Sequence, residues 1–327
     1  MMSNILSVPS GFKDYLNGES KYKNEVEAAI MKLISDNGYL SIETPIIEYM
    51  DVFTQAGAFS QEDMFKLSDD KGSALVLRPD MTIPAARLAA TRFKDYDTLK
   101  LCYLGQVFHF KRVNSWELKE VTQIGIEYMG ESRTVADSEV INIAYDCVKS
   151  TGIENFQIDL GQVDFYNGLM QEAGISDENA LKLSKFVEQK DTLAIEMLLQ
   201  QIDVTGAAKN LLMDLPSLFG GLEALEKAKN YTVNEKCLGA VENLSTIIAG
   251  LKAEVRDNIS IDFSMVQSVH YYTGMIFQGI TDKLGTPILT GGRYDNLTSC
   301  FGRKLPATGF ALDGSALLTA LSERSTK

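Results

Sequence analysis

The segment Leu77-Arg78-Pro79-Asp80-Met81-Thr82 sets a carboxylate and a hydroxyl two residues apart. Such a pair can hold an ammonium group if both side chains point to one side. The same two groups could instead cap a helix by satisfying backbone N–H groups of its first turn. Further along, EVTQIGIE places Gln123 and Glu127 four apart, on one face of a strand, with Gly125 between them as a sign of close approach by a ligand or another backbone. Tyr271 and Tyr272 precede Gly274 and offer phenols able to bond an imidazole or a carboxylate, although packing alone would also account for them. Gly291 to Leu297 reads as a turn whose glycines permit positive φ, followed by Arg293, Tyr294 and Asp295. His270 has no serine or cysteine partner recognisable by spacing, so it receives no catalytic role.

Other chemistries find little support. Neither GxxxxGK[ST] nor a GxGxxG opening a βαβ unit occurs, which argues against P-loop and dinucleotide sites; no cofactor is expected. Cys102, Cys147, Cys237 and Cys300 are widely spaced and the chain has 2 histidines, so neither a metal site nor a disulfide framework is expected. A formal net charge of −13 and a pI near 4.7 oppose nucleic-acid binding, even though Lys94, Lys100, Lys111, Arg112 and Lys119 cluster in sequence. The N-terminus lacks the basic and apolar regions of a signal peptide, and no apolar run is long enough for a membrane span. A cytoplasmic location without a membrane partner is the expectation. At 327 residues, 45% hydrophobic and 23% charged, the chain can bury a full core.

The elements that must position these residues follow from periodicity. Tyr22, Val26, Ala29, Ile30, Leu33 and Ile34 predict an amphipathic helix over 20–37, ending at Asn37-Gly38, with a strand over 39–44 running into Pro45. Ala74 to Leu77 predicts a buried strand ahead of a helix from Ile83, with Thr82 as its N-cap. Two strands, 100–104 and 107–111, are expected on either side of Gly105-Gln106, and 120–129 returns as a third after a polar loop. A helix over 138–150 and a strand over 156–160 follow. From 165 to 254 helix formers with apolar spacing dominate, which predicts an inserted helical subdomain within a domain built from 1–164 and 255–327. Strands over 260–263, 274–279, 286–290 and 307–312 and a last helix over 315–322 complete an α+β pattern. Its sheet should be mostly antiparallel and flanked by helices.

Taken in order, these segments resemble the histidyl-tRNA synthetase family of class II aminoacyl-tRNA synthetases. Pro9, Gly11 and Asp14 match its P-x-G-x-x-D segment, and Leu77 to Thr82 its LRPE-x-T. Phe108 to Arg112 followed by Gln123 to Glu127 is similar to motif 2, Val266 to Tyr272 to VRGLDYY, and Gly291 to Asp295 with Thr308 to Ala311 to the approach to motif 3. The resemblance spans essentially the whole chain.

Three positions depart from the family. His109, Gln267 and Ala316 stand where the resemblance implies arginines that clamp ATP and the developing adenylate. Each guanidinium lost from such a clamp costs roughly 3 kcal/mol of transition-state stabilisation. The chain also stops one helix after Gly309, where the family continues into a C-terminal anticodon-binding domain. It is thus similar to the family's non-catalytic branch, regulators that pair with the short-form ATP phosphoribosyltransferase catalytic subunit. That resemblance implies no catalysis of its own, a homodimer within a hetero-octamer, and histidine as effector in histidine biosynthesis. It also implies site roles: Asp80 with Thr82 and Gln123 for the α-ammonium, Glu127 and Tyr272 for the imidazole, Tyr271 and Tyr294 for the wall. A truncated histidine-activating ligase and a tRNA-sensing module are the alternative readings.

Overall fold

The computed structural model describes residues 6–110, 118–230, 234–266 and 271–322. Gln267, His270, Lys111 and Arg112 lie outside them. The strands are β1 (Leu40–Ser41), β2 (Ile47–Tyr49), β3 (Lys66–Ser68), β4 (Ala74–Leu77), β5 (Leu99–Phe108), β6 (Glu120–Met129), β7 (Phe156–Gln162), β8 (Phe219–Gly220), β9 (Ile259–Asp262), β10 (Met275–Thr281), β11 (Leu289–Arg293) and β12 (Ala307–Asp313). The helices are α1 (Asn17–Asp36), α2 (Met50–Thr54), α3 (Thr82–Thr91), α4 (Thr134–Ser150), α5 (Val163–Glu172), α6 (Asp177–Glu188), α7 (Thr192–Gln201), α8 (Gly206–Asp214), α9 (Glu223–Asn230), α10 (Glu235–Ala249), α11 (Ala253–Arg256) and α12 (Gly314–Ser322).

One large sheet runs β1-β5-β6-β12-β11-β10-β7-β9-β8, and a small one runs β2-β4-β3. Among the described residues only β1 with β5 and β7 with β9 pair in parallel, so the expected mostly antiparallel α+β architecture is what the chain adopts. One face of the large sheet buries Ile126, Leu160 and Phe277 against Ile30 and Ile34 of α1, Val140 and Ala144 of α4, and Val241 and Leu244 of α10. Each of these valine, leucine, isoleucine and phenylalanine side chains, fully buried, contributes about 1.5–3 kcal/mol. Residues of α5 to α10 belong to this same apolar core, as Phe165 packing on Phe263 at 4.5 Å between centroids shows. A second cluster joins Phe53, Val76, Ile83, Leu101, Tyr103 and Tyr294.

Three local expectations give way. Residues 99–108 form one strand, not two, because Gly105 stays in the ladder opposite Gln123 and its missing Cβ leaves room for the Arg78 guanidinium. Gly291 and Gly292 are strand residues of β11, not a turn. A Cβ at 291 would sit 2.5 Å from the carbonyl oxygen of Gly309 and from the Phe277 ring, so close packing and not positive φ demands glycine there. The expected strand over 39–44 shrinks to Leu40–Ser41.

Candidate functional site

Glu127 lies on β6 between Leu101 of β5 and Gly309 of β12. Its carboxylate leans over β12, so a Cβ at 309 would collide with Glu127 Oε2 and with the Ile126 carbonyl oxygen. The Tyr103 hydroxyl donates to Glu127 Oε1 at 2.9 Å, and the Tyr294 hydroxyl donates to Oε2. Tyr103 also lies 3.3 Å from Thr82 Oγ1 at the start of α3.

Asp80 follows β4 and is buried. Its Oδ1 accepts from the Ile83 N–H at 2.8 Å, so Asp80 caps α3 and the hydroxyl of Thr82 does not, contrary to the sequence-based expectation. Met81 is already in the helical region at φ −102° and ψ −22°, which brings Asp80 to the capping place and turns Thr82 toward Tyr103. A carboxylate at a helix N-terminus is favoured by the macrodipole. The other oxygen, Oδ2, lies 3.5 Å from Gln123 Nε2, while Gln123 Oε1 accepts from the Met81 N–H at 2.8 Å. Capping and site geometry therefore coexist in one residue.

Tyr271 packs edge-on to Tyr272 at 5.0 Å and to Tyr294 at 5.7 Å between centroids. The Tyr272 ring covers Gly292, where a Cβ would fall 2.8 Å from it. The structure thus brings Asp80, Thr82, Gln123, Glu127, Tyr271, Tyr272 and Tyr294 into one cluster. Tyr103 joins them unannounced. Its signal in sequence is strand alternation, which puts it opposite Gly125 in the β5–β6 ladder.

Burial pushes the Glu127 carboxyl up to about 8, against the lowering effect of hydrogen bonds from Tyr294, Thr82 and Tyr103, and the nearby Asp80 charge adds to the rise. Burial likewise raises Asp80. The phenols of Tyr103, Tyr271 and Tyr294 are driven well above their ordinary range by burial, so they act as neutral donors. Among the described residues, no lysine or arginine pairs with either carboxylate. Nor does any group of three His, Cys, Asp or Glu stand ready to hold a metal ion there.

Two of the positions without arginines, 109 and 316, are among the described residues. The His109 N–H donates to the Lys119 carbonyl at 2.8 Å beyond the end of β5. In α12, the Ala316 N–H donates to Asp313 Oδ1 at 2.8 Å and its methyl packs on the main core. Gln267 falls outside the described residues. The nearby Arg78 is committed to structure, donating to Gln106 O at 2.8 Å, Thr44 O at 2.5 Å and Pro45 O at 3.3 Å.

Comparison with known proteins agrees with this architecture. The family model for histidyl-tRNA synthetase matches residues 11–317. A protein of Acetivibrio thermocellus named ATP phosphoribosyltransferase regulatory subunit is 42% identical over 322 residues, covering 98% of this chain and 77% of its own. A namesake from Clostridium acetobutylicum is 38% identical over 97% of this chain and 79% of its own. A crystal structure from Bacillus halodurans, described as an ATP phosphoribosyltransferase regulatory subunit/histidyl-tRNA synthetase, superposes with a TM-score of 0.90 at 32% identity, over 97% of this chain and 83% of that one. Histidyl-tRNA synthetase from Nostoc shares the fold, with a TM-score of 0.82 at 21% identity over 98% of this chain and 76% of that one. Among the described residues, no helix is long and apolar enough to cross a membrane. On sequence and on fold alike, the chain belongs to the ATP phosphoribosyltransferase regulatory subunits, a family built on the histidyl-tRNA synthetase framework.

Proposed function

We propose that Asp80, Thr82, Gln123, Glu127, Tyr271, Tyr272 and Tyr294 form a histidine-binding pocket. Through it the chain would set the activity of a short-form ATP phosphoribosyltransferase catalytic subunit at the entry to histidine biosynthesis. The observation that carries this reading is the pairing of two buried carboxylates, Asp80 and Glu127, with neutral donors, neither being ion-paired to a lysine or arginine among the described residues. Buried acids left without a counter-charge favour a ligand that brings its own. Histidine carries an ammonium for Asp80, Thr82 and Gln123, and an imidazole N–H for Glu127 with Tyr272 closing the far side.

Feedback requires that histidine bind differently in two assembly states, so the pocket must couple to a subunit interface. The small sheet presents Ile47, Tyr49 and Leu67 to solvent, an apolar face that supports contact with another chain. The assembly we propose is a homodimer inside a hetero-octamer, in the cytoplasm. Calorimetric titration of histidine into the purified chain tests the pocket. Saturable binding that Glu127→Gln weakens by about tenfold or more is expected. Absence of binding, or equal affinity in the variant, would remove the reading.

A further inference from the structure

We propose that Arg293 is the positioning residue of this pocket, holding in register the three chain segments that carry Tyr294, the Tyr271-Tyr272 pair and Glu127. The inference rests on reading the cluster as the effector site, yet its geometry stands apart from the identity of the ligand.

Arg293 ends β11, immediately before Tyr294, and is buried. Its Nε lies 3.0 and 3.2 Å from the two oxygens of Asp137 in the first turn of α4. Nη1 donates to Asp295 Oδ1 at 3.1 Å and to the Glu131 carbonyl at 3.2 Å, and Nη2 donates to the Arg133 carbonyl at 3.4 Å. Glu131 and Arg133 lie in the turn leaving β6, the strand that bears Gln123 and Glu127.

The backbone of Arg293 grips the second segment. Its carbonyl accepts from the Thr273 N–H at 2.7 Å, one residue beyond Tyr272, and Thr273 Oγ1 accepts in turn from the Asp295 N–H at 2.9 Å. Gly274 faces the aliphatic stem, where a Cβ would lie in ordinary packing distance of Arg293 Cδ at 3.4 Å. Asp295 Oδ1 also accepts from the Ala307 N–H at 3.0 Å, and the Tyr294 N–H donates to the Ala307 carbonyl at 2.7 Å, which ties the arrangement to β12.

A buried ion pair is a poor source of net stability, whereas a fork of five fixed donors is well suited to specifying geometry. Lysine could keep the charge opposite Asp137 but could not span Asp295 and both carbonyls at once.

The test uses the full chain labelled with 3-fluorotyrosine. The Tyr294 resonance is assigned by its loss in Tyr294→Phe, and ¹⁹F NMR is combined with histidine titration. Arg293→Lys is compared with Arg293→Met/Asp137→Asn, which removes both charges together and carries the test if the lysine variant fails to fold. The Tyr294 resonance should move in each. Histidine affinity should fall about tenfold in the wild-type background and by a smaller factor in Tyr294→Phe, where the Tyr271-Tyr272 and Glu127 segments are what remains to be displaced. A Tyr294 resonance left in place, or equal losses in both backgrounds, would overturn the proposal. If the wild-type chain binds no histidine, the effector reading fails alone, and the ¹⁹F shift still decides the role of Arg293.

Discussion

Tyr103 and Glu127 sit diagonally across the β5–β6 ladder, and the tyrosine hydroxyl donates to the carboxylate at 2.9 Å. The residue directly opposite Tyr103 is Gly125, where a Cβ would lie 2.6 Å from that hydroxyl and would strike the Phe310 carbonyl oxygen. Gly125→Ala should therefore force the ring off Glu127 and destabilise the chain by about 1–3 kcal/mol. Chemical denaturation measures the loss, and an unchanged midpoint would contradict the packing described.

Tyr103→Phe deletes a donor without changing shape. It leaves one Glu127 oxygen buried and less well satisfied, at an expected cost of about 1–3 kcal/mol. Its unfolding midpoint should fall while Tyr128→Phe, a change at a partly exposed ring, has a smaller effect.

The pH dependence follows from the raised Glu127 carboxyl. With its folded value near 8 against an ordinary 4.5, the native state holds this proton over a range in which the unfolded chain has released it. Its contribution to stability is complete below the ordinary value and is lost as pH rises through about 8. Raised Asp80 acts in the same direction. Denaturation of the ligand-free chain should therefore show stability falling between pH 5 and pH 8 by a slope that Glu127→Gln flattens; this window is roughly that of a carboxyl displaced by burial. An identical slope in the variant would contradict the assignment.

The Arg293–Asp137 pair gives a sharper contrast. Asp137→Ala leaves the buried guanidinium with the partly exposed Asp295 as its carboxylate partner and should cost about 3–5 kcal/mol, whereas Arg293→Met/Asp137→Leu should recover much of the loss because the two buried charges go together and Asp295 keeps its access to water. Thermal unfolding of the two variants decides it. A double variant less stable than Asp137→Ala would count against the pair as described.

Much of this site was legible in sequence because its residues recur at strand and helix spacings. Gln123 and Glu127 share a face through simple alternation, and Asp80 and Thr82 border a strand-to-helix junction. Tyr271, Tyr272 and Tyr294 carried no periodic signal of their own; the family resemblance placed them. What escaped depends on contacts across the sheet. Tyr103 looks like one more apolar strand residue until β5 is paired with β6, and Arg293 finds Asp137 156 positions away. The glycines misled for a related reason. At 105, 291 and 292 they stand for close neighbours in the folded chain, while local reading treats glycine as punctuation.

Without guanidinium groups at 109, 267 and 316, the chain should show no histidine-dependent exchange of pyrophosphate into ATP above background. Restoring one arginine alone, as in His109→Arg, should not change that, since each missing clamp removes about 3 kcal/mol of transition-state stabilisation. Exchange by the wild-type chain would argue for a ligase.

The most direct measurement follows phosphoribosyl transfer by a short-form catalytic subunit, with histidine titrated against complexes containing either the wild-type chain or Asp80→Asn. The wild-type chain should raise the rate and confer inhibition by histidine. The variant should still raise it, with inhibition shifted to histidine concentrations about tenfold higher or more. An inhibition curve identical for the two complexes would place the effector elsewhere and contradict the account.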